Sequence, residues 1–181
     1  MPVATINSPS QRRSRPEISV NPTEFRLEDY LPYRLSLLSN TVSQGIAHRY
    51  QQDHDISVTE WRIIVVLGRF PGSTASDVVE RTAMDKVTIS RAVNSLLEKG
   101  FLQRRTDSND RRRLRLYLTR GRGKQVLESI VPLAAAYETE LMASLGPSDR
   151  AALEGILAKL QEGAEALKER LIFEPASAAT A

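Results

Sequence analysis

The chain has 181 residues, of which 41% are hydrophobic and 26% charged, with no cysteine and a formal net charge of +3. This is the composition of a globular protein with one packed core, or a small domain with a helical extension. It excludes disulfides, thiolate metal sites and thiol switches. No stretch approaches the roughly 20 apolar residues of a membrane span. The first residues lack the basic-then-apolar order of a secretory signal, so the expected compartment is the cytoplasm.

Residues 1–22 contain Pro2, Pro9, Pro16 and Pro22, the cluster Arg12, Arg13 and Arg15, and few core formers. They read as a flexible basic arm. Over 27–55, Leu31, Leu35, Leu38, Val42 and Ile46 recur at spacings of three and four, which predicts a long first helix starting at about Leu27. Ser57-Val58-Thr59-Glu60 fits a capping box. The helix it opens is apolar nearly all round, which implies burial on several sides, and Phe70-Pro71-Gly72 ends it.

A short helix follows with Thr74 as its cap, then Ala83-Met84-Asp85 as a tight connection with Asp85 capping the next helix. That helix carries Ile89, Ala92, Val93, Leu96 and Leu97 on one face and closes at Gly100. Two helices joined by so few residues form a helix-turn-helix. From Phe101 the period changes to two: Leu114, Leu116 and Leu118 alternate with Arg113, Arg115 and Tyr117, a half-buried strand with a basic outer face. Leu102 to Arg105 is its expected partner across the polar turn 106–111, giving a β-hairpin wing. Thr119 is expected to cap a fifth helix reaching about Leu145 with Pro132 inside it. Pro147 opens a sixth, to about Ile172, with the stripe Leu153, Ile156, Leu157, Leu160, Ala164, Leu167 and Leu171. The fold class is therefore mainly α with a small β-hairpin wing. The tail 173–181 is expected to be disordered.

Charge is polarised along the chain. Residues 85–124 hold twelve Lys and Arg against four acids, whereas 125–181 hold four against nine. Cations gathered on a helix-turn-helix and its wing are the footprint of a nucleic-acid binder.

Three pieces, in this order and spacing, resemble the MarR family of winged helix-turn-helix transcriptional regulators: Ala83 through Arg91, Leu96 through Leu102, and Asp107 through Arg112 followed by Leu118-Thr119. The likeness covers about 27–171. It implies a homodimer in which the first helix (27–55) and the C-terminal helices (120–172) make the interface, and two winged helix-turn-helix domains (57–119) grip double-stranded DNA at a pseudo-palindromic operator. Two recognition helices read half-sites about one turn, roughly 34 Å, apart.

With the apolar face inward, Lys86, Val87, Thr88, Ser90, Arg91 and Asn94 are offered to the major groove, Arg91 as a guanine reader and Val87 as a contact to a thymine methyl. In the wing, Asp110-Arg111-Arg112 resembles the family's Asp-Arg-Arg signature, which implies that Arg111 or Arg112 enters the minor groove while Asp110 pairs with the other. Arg113 and Arg115 are expected to meet phosphates; the alternative is that some of these arginines pair with acids such as Asp107. The resemblance further implies release of DNA by a small aromatic carboxylate or phenol. Arg34, Ser39, His48, Trp61 and Arg62 are its candidate contacts, although Trp61 equally fits a core position and Arg34 and Arg62 interface ion pairs.

No enzyme is expected. The only histidines, His48 and His54, lie six apart and point about 240° from one another around a helix, so they do not converge on a metal. There is no glycine-rich phosphate loop and no cofactor motif. The rival reading is a winged helix used for protein interaction or for architectural DNA binding, without ligand response.

Overall fold

The computed structural model describes residues 21–173; the basic arm up to residue 20 and the tail from residue 174 lie outside the described residues. The chain forms two compact units, divided between Thr41 and Val42.

In the first unit, a single 3-10 turn, Leu27–Asp29, precedes helix α1 (Leu31–His54). The helix starts four residues later than its apolar spacing predicted. Pro32 has no N–H and fits only a first helical turn, where that donor would be unpaired anyway. Arg26 is paired with Glu28 at 3.0 Å and Asp29 at 3.4 Å beside the turn. Leu31, Leu35, Leu37 and Leu38 are all exposed.

The second unit contains the rest of α1, then α2 (Val58–Arg69), α3 (Ala75–Thr82), α4 (Lys86–Glu98), β1 (Leu102–Thr106), β2 (Leu114–Leu118), α5 (Arg122–Leu141) and α6 (Pro147–Phe173). Strands β1 and β2 pair antiparallel, Leu102 opposite Leu118 and Arg104 opposite Leu116. The loop after α2 adds a short third rung. The Gly72 amide donates to the Leu116 carbonyl and the Leu116 amide to the Ser73 carbonyl, both at 2.9 Å. Gly72 has φ +84, and a Cβ there would meet the Tyr117 hydroxyl at 2.9 Å, so this crossing requires glycine.

The core is built where the helical periods converge. Ile63, Ile64 and Leu67 of α2, Val78 of α3, Ile89, Val93 and Leu96 of α4, Leu116 of β2, and Val126 and Ile130 of α5 are buried together with Tyr50, Ile56 and Phe101. At roughly 1.5–3 kcal/mol for each large apolar side chain removed from water, this cluster fixes α4 and the hairpin as one body. The wing strands differ from simple alternation at one end: Leu116 is buried, but Leu114 is 47% exposed. It lies at the end of the hairpin, opposite Thr106, beyond the body of the core.

Helix α5 also departs from expectation. It begins at Arg122 with Gly121 at its cap, and ends at Leu141 before a 3-10 turn, Met142–Ser144. Thr119 still serves its first turn, its hydroxyl accepting from the Gly123 amide at 2.8 Å and donating to the Gly100 carbonyl at 2.9 Å. Helix α6 begins at Pro147 as its sequence predicted, but its stripe is turned to solvent: Ile156, Leu157, Leu160, Leu167 and Leu171 are all exposed. No helix among the described residues is long and apolar enough to cross a membrane.

Candidate nucleic-acid interface

Helix α4, the second helix of the helix-turn-helix, is set by its two ends. At its start, the Asp85 carboxylate accepts from the Thr88 amide at 2.9 Å, capping donors that would otherwise be unpaired. Ala83, ahead of it, takes a left-handed conformation with φ 52 that turns the chain from α3 into α4. Near its far end, Ser95 donates to the Glu60 carboxylate at 2.7 Å and Lys99 to the same group at 3.1 Å. Glu60 also completes the capping box of α2, accepting from the Ser57 amide at 2.8 Å. Lys99 donates in addition to the Asp55 carbonyl at 2.6 Å. Burial pushes the Glu60 carboxyl up, but these hydrogen bonds from Ser57, Ser95 and Lys99 outweigh it and leave the group below its ordinary range.

With both ends held, α4 presents Lys86, Val87, Ser90, Arg91 and Asn94 as an exposed face, while Thr88 is half-buried. Val87, Ser90, Arg91 and Asn94 follow one another at three- and four-residue steps, so they form one stripe. Val87 is 59% exposed although it is apolar, which suits a methyl-reading position and nothing in the core.

The wing is organised from Asp107, which sequence reading had placed only as an alternative partner for the arginines. Its carboxylate is buried and accepts from the Asn109 amide at 2.7 Å and the Asp110 amide at 3.2 Å. It also receives the Arg115 guanidinium. The Asn109 amide and Arg115 hold its carboxyl below the ordinary carboxylate range. An aspartate at the head of a polar turn, accepting two residues on, is the signal in the sequence that pointed there.

Arg115 is accordingly a correction. The alternation put it with the phosphate-binding arginines, but its guanidinium is engaged inside the wing, with Asp107 and, at 2.9 Å, with the Gly72 carbonyl. Period two places a side chain on a face and does not disclose the acid waiting there. Asp110 pairs weakly with two arginines, Arg112 at 3.4 Å and Arg113 at 3.6 Å. Arg111 is exposed and takes part in no ion pair among the described residues, so of the two tip arginines it is the one not engaged by Asp110.

These features together are an exposed stripe on a capped helix, followed by a hairpin with exposed arginines at its tip. The MarR family profile matches residues 54–113, the segment holding both. Over this segment the chain matches the MarR family.

Relatives agree with that placement. The HTH-type transcriptional regulator BilQ of Clostridium symbiosum is 27% identical over 115 residues, covering 64% of this chain and 79% of its own length. The HTH-type transcriptional repressor NicR of Pseudomonas putida is 29% identical over 144 residues, covering 76% of this chain and 90% of its own. The crystal structure of a MarR/EmrR family transcriptional regulator from Acinetobacter sp. ADP1 superposes with a TM-score of 0.71 at 25% identity, covering 78% of this chain and 99% of that one. The chain is thus a DNA-binding transcriptional regulator of MarR type, in a family of regulators rather than enzymes.

The candidate ligand residues of this MarR protein are placed less uniformly. Arg34 and Ser39 lie on the exposed first half of α1, in the first unit. In the second unit, His48 is exposed and bonded to Gln52 at 3.2 Å. Arg62 donates to the Ser43 hydroxyl at 3.3 Å. Trp61 is half-buried, its ring 5.9 Å from that of Tyr50. Tyr50 is the residue sequence reading missed: its ring is 1% exposed, and its hydroxyl is buried with no hydrogen-bond partner. Burial disfavours the phenolate and pushes the Tyr50 pKa above its ordinary value, and the nearby Arg62 charge opposes that shift.

Proposed function

We propose that the protein is a homodimeric, sequence-specific regulator that represses from a pseudo-palindromic operator and is released by a small aromatic acid or phenol. The observation that carries operator binding is the continuity of the Val87–Ser90–Arg91–Asn94 stripe with the exposed arginines of the wing. The stripe is placed to read base edges in the major groove, and Arg111 to enter the adjacent minor groove, where the narrow walls concentrate negative potential. Lys86, Arg112 and Arg113 fit phosphates. The repressor assignment follows NicR, which is a transcriptional repressor.

Dimerisation is supported by two apolar faces turned to solvent, one on the first half of α1 and one along α6. A second copy would bury both, and exposed apolar stripes of this extent mark interaction surfaces. The ligand reading is supported by Tyr50. A buried hydroxyl without a partner costs about 1–3 kcal/mol, and a ligand oxygen would satisfy it, with Arg62 as the counter-charge to a carboxylate and Trp61 as an aromatic wall.

The test is a titration against the gene's own upstream fragment and a scrambled control at two salt concentrations, with wild type and an Arg111→Ala, Arg112→Ala double variant. Preference for the native fragment, weakened by the double change, is the expected result. Equal, weak binding to both fragments would contradict operator binding and favour the architectural or protein-interaction module. Adding aromatic carboxylates to the native complex tests release, and Arg34→Ala against Arg62→Ala shows which cation receives the carboxylate.

A further inference from the structure

Asn94 stands on the outward stripe of the recognition helix, one turn beyond Arg91, yet its side chain is not free. The Arg104 guanidinium, on β1, donates to Asn94 Oδ1 at 2.7 Å. A guanidinium carries only donors, so the amide oxygen must be the atom facing it, and the orientation of this amide follows from chemistry.

Arg104 is itself well placed by the fold. It sits in the middle of β1, opposite Leu116, the buried residue of β2. The strand is attached to the end of α4 through the Phe101 amide, which donates to the Leu96 carbonyl at 2.9 Å. Its neighbour Arg105 is stacked at 5.0 Å over the Tyr117 ring, on the other side of the strand. This exposed pair thus adds a side-chain link between hairpin and recognition helix.

We propose that Arg104 is a positioning residue for base reading: it turns the Oδ1 end of Asn94 toward the strand and leaves the Nδ2 donors facing the groove. An asparagine free to rotate reads adenine by donating to N7 and accepting from N6 at once. Held as here, Asn94 offers donors, so it selects acceptor edges, guanine O6 and N7 or thymine O4. The inference rests on the operator-binding reading above and specifies what one position of that operator looks like.

The experiment is a competition for a randomised half-site library by the full-length wild type, Asn94→Ala, Arg104→Ala and the double variant. The wild type is expected to favour guanine or thymine at one position. Asn94→Ala and Arg104→Ala should each lose about tenfold of that preference, at that position alone, and the double variant no more than either. Two results would overturn the inference: an Asn94-dependent position that selects adenine, or an Arg104→Ala protein weakened evenly on all sequences with a smaller salt slope, which is the behaviour of a phosphate contact. A wild type that discriminates no sequence contradicts operator binding itself and removes this inference with it.

Discussion

Glu60 joins two parts of the winged module through one carboxylate: the start of α2 through Ser57, and the end of α4 through Ser95 and Lys99. The local half of this arrangement was legible, because a capping box is a four-residue pattern. Ser95 and Lys99 lie 35 and 39 positions away, and no period relates them to Glu60. Removing the carboxylate in Glu60→Ala leaves Lys99 partly exposed and still near Asp55, so the expected loss is about 2 kcal/mol, below the range for a fully buried broken pair. A denaturant midpoint checks it. The pH dependence follows in sign. Glu60 and Asp107 both have folded values below the ordinary range, so their stabilisation is complete above the unfolded values near pH 4 and is lost as pH falls through the folded ones. Thermal melts should change little between about pH 7 and pH 5 and fall steeply below about pH 4, with a shallower fall in Glu60→Ala.

A cap or a proline at the start exposed α2, α3, α4 and α6 in the sequence, and α4 and α6 add a regular apolar face. The start of α5 was not legible in the same way. Thr119 has the chemistry of a cap, but Arg120 and Gly121 intervene before the helix proper, and the Thr119 hydroxyl bridges to the Gly123 amide across that turn. Gly123 itself shows why: a Cβ there would overlap the Phe101 backbone carbonyl. In a free helix Gly→Ala gains about 1 kcal/mol, whereas forcing an atom against a fixed backbone costs up to about 3 kcal/mol. The clash wins, and Gly123→Ala should lose about 2 kcal/mol, lowering the melting temperature of the purified protein. An unchanged or higher melting temperature would show that α5 can shift from Phe101 freely. The wing shows the same division between what repeats and what does not. Alternation located the strands, but Asp107 and Gly72 decided that Arg115 is held inside them.

At the scale of the whole molecule, the exposed leucines of α1 and α6 account for the proposed homodimer, and their helical stripes were readable without coordinates. Which copy covers them is not written in any stripe. A Leu157→Glu, Leu167→Glu variant places two charges on the α6 face without touching the core, since both leucines are exposed. Analytical ultracentrifugation should show wild-type dimer and variant monomer, with an unchanged circular dichroism spectrum. The monomer should lose most operator affinity because two half-sites are no longer engaged together. A dimeric variant would place the interface elsewhere. The central claim, that a paired stripe and wing read a symmetric operator, is tested most directly by hydroxyl-radical footprinting of wild type and Arg111→Ala on the native upstream fragment. The prediction is two protected segments about one helical turn, roughly 34 Å, apart, with Arg111→Ala losing protection at the flanking minor grooves while keeping the central pattern. Protection spread evenly along the fragment, or flanks indifferent to Arg111, would contradict it.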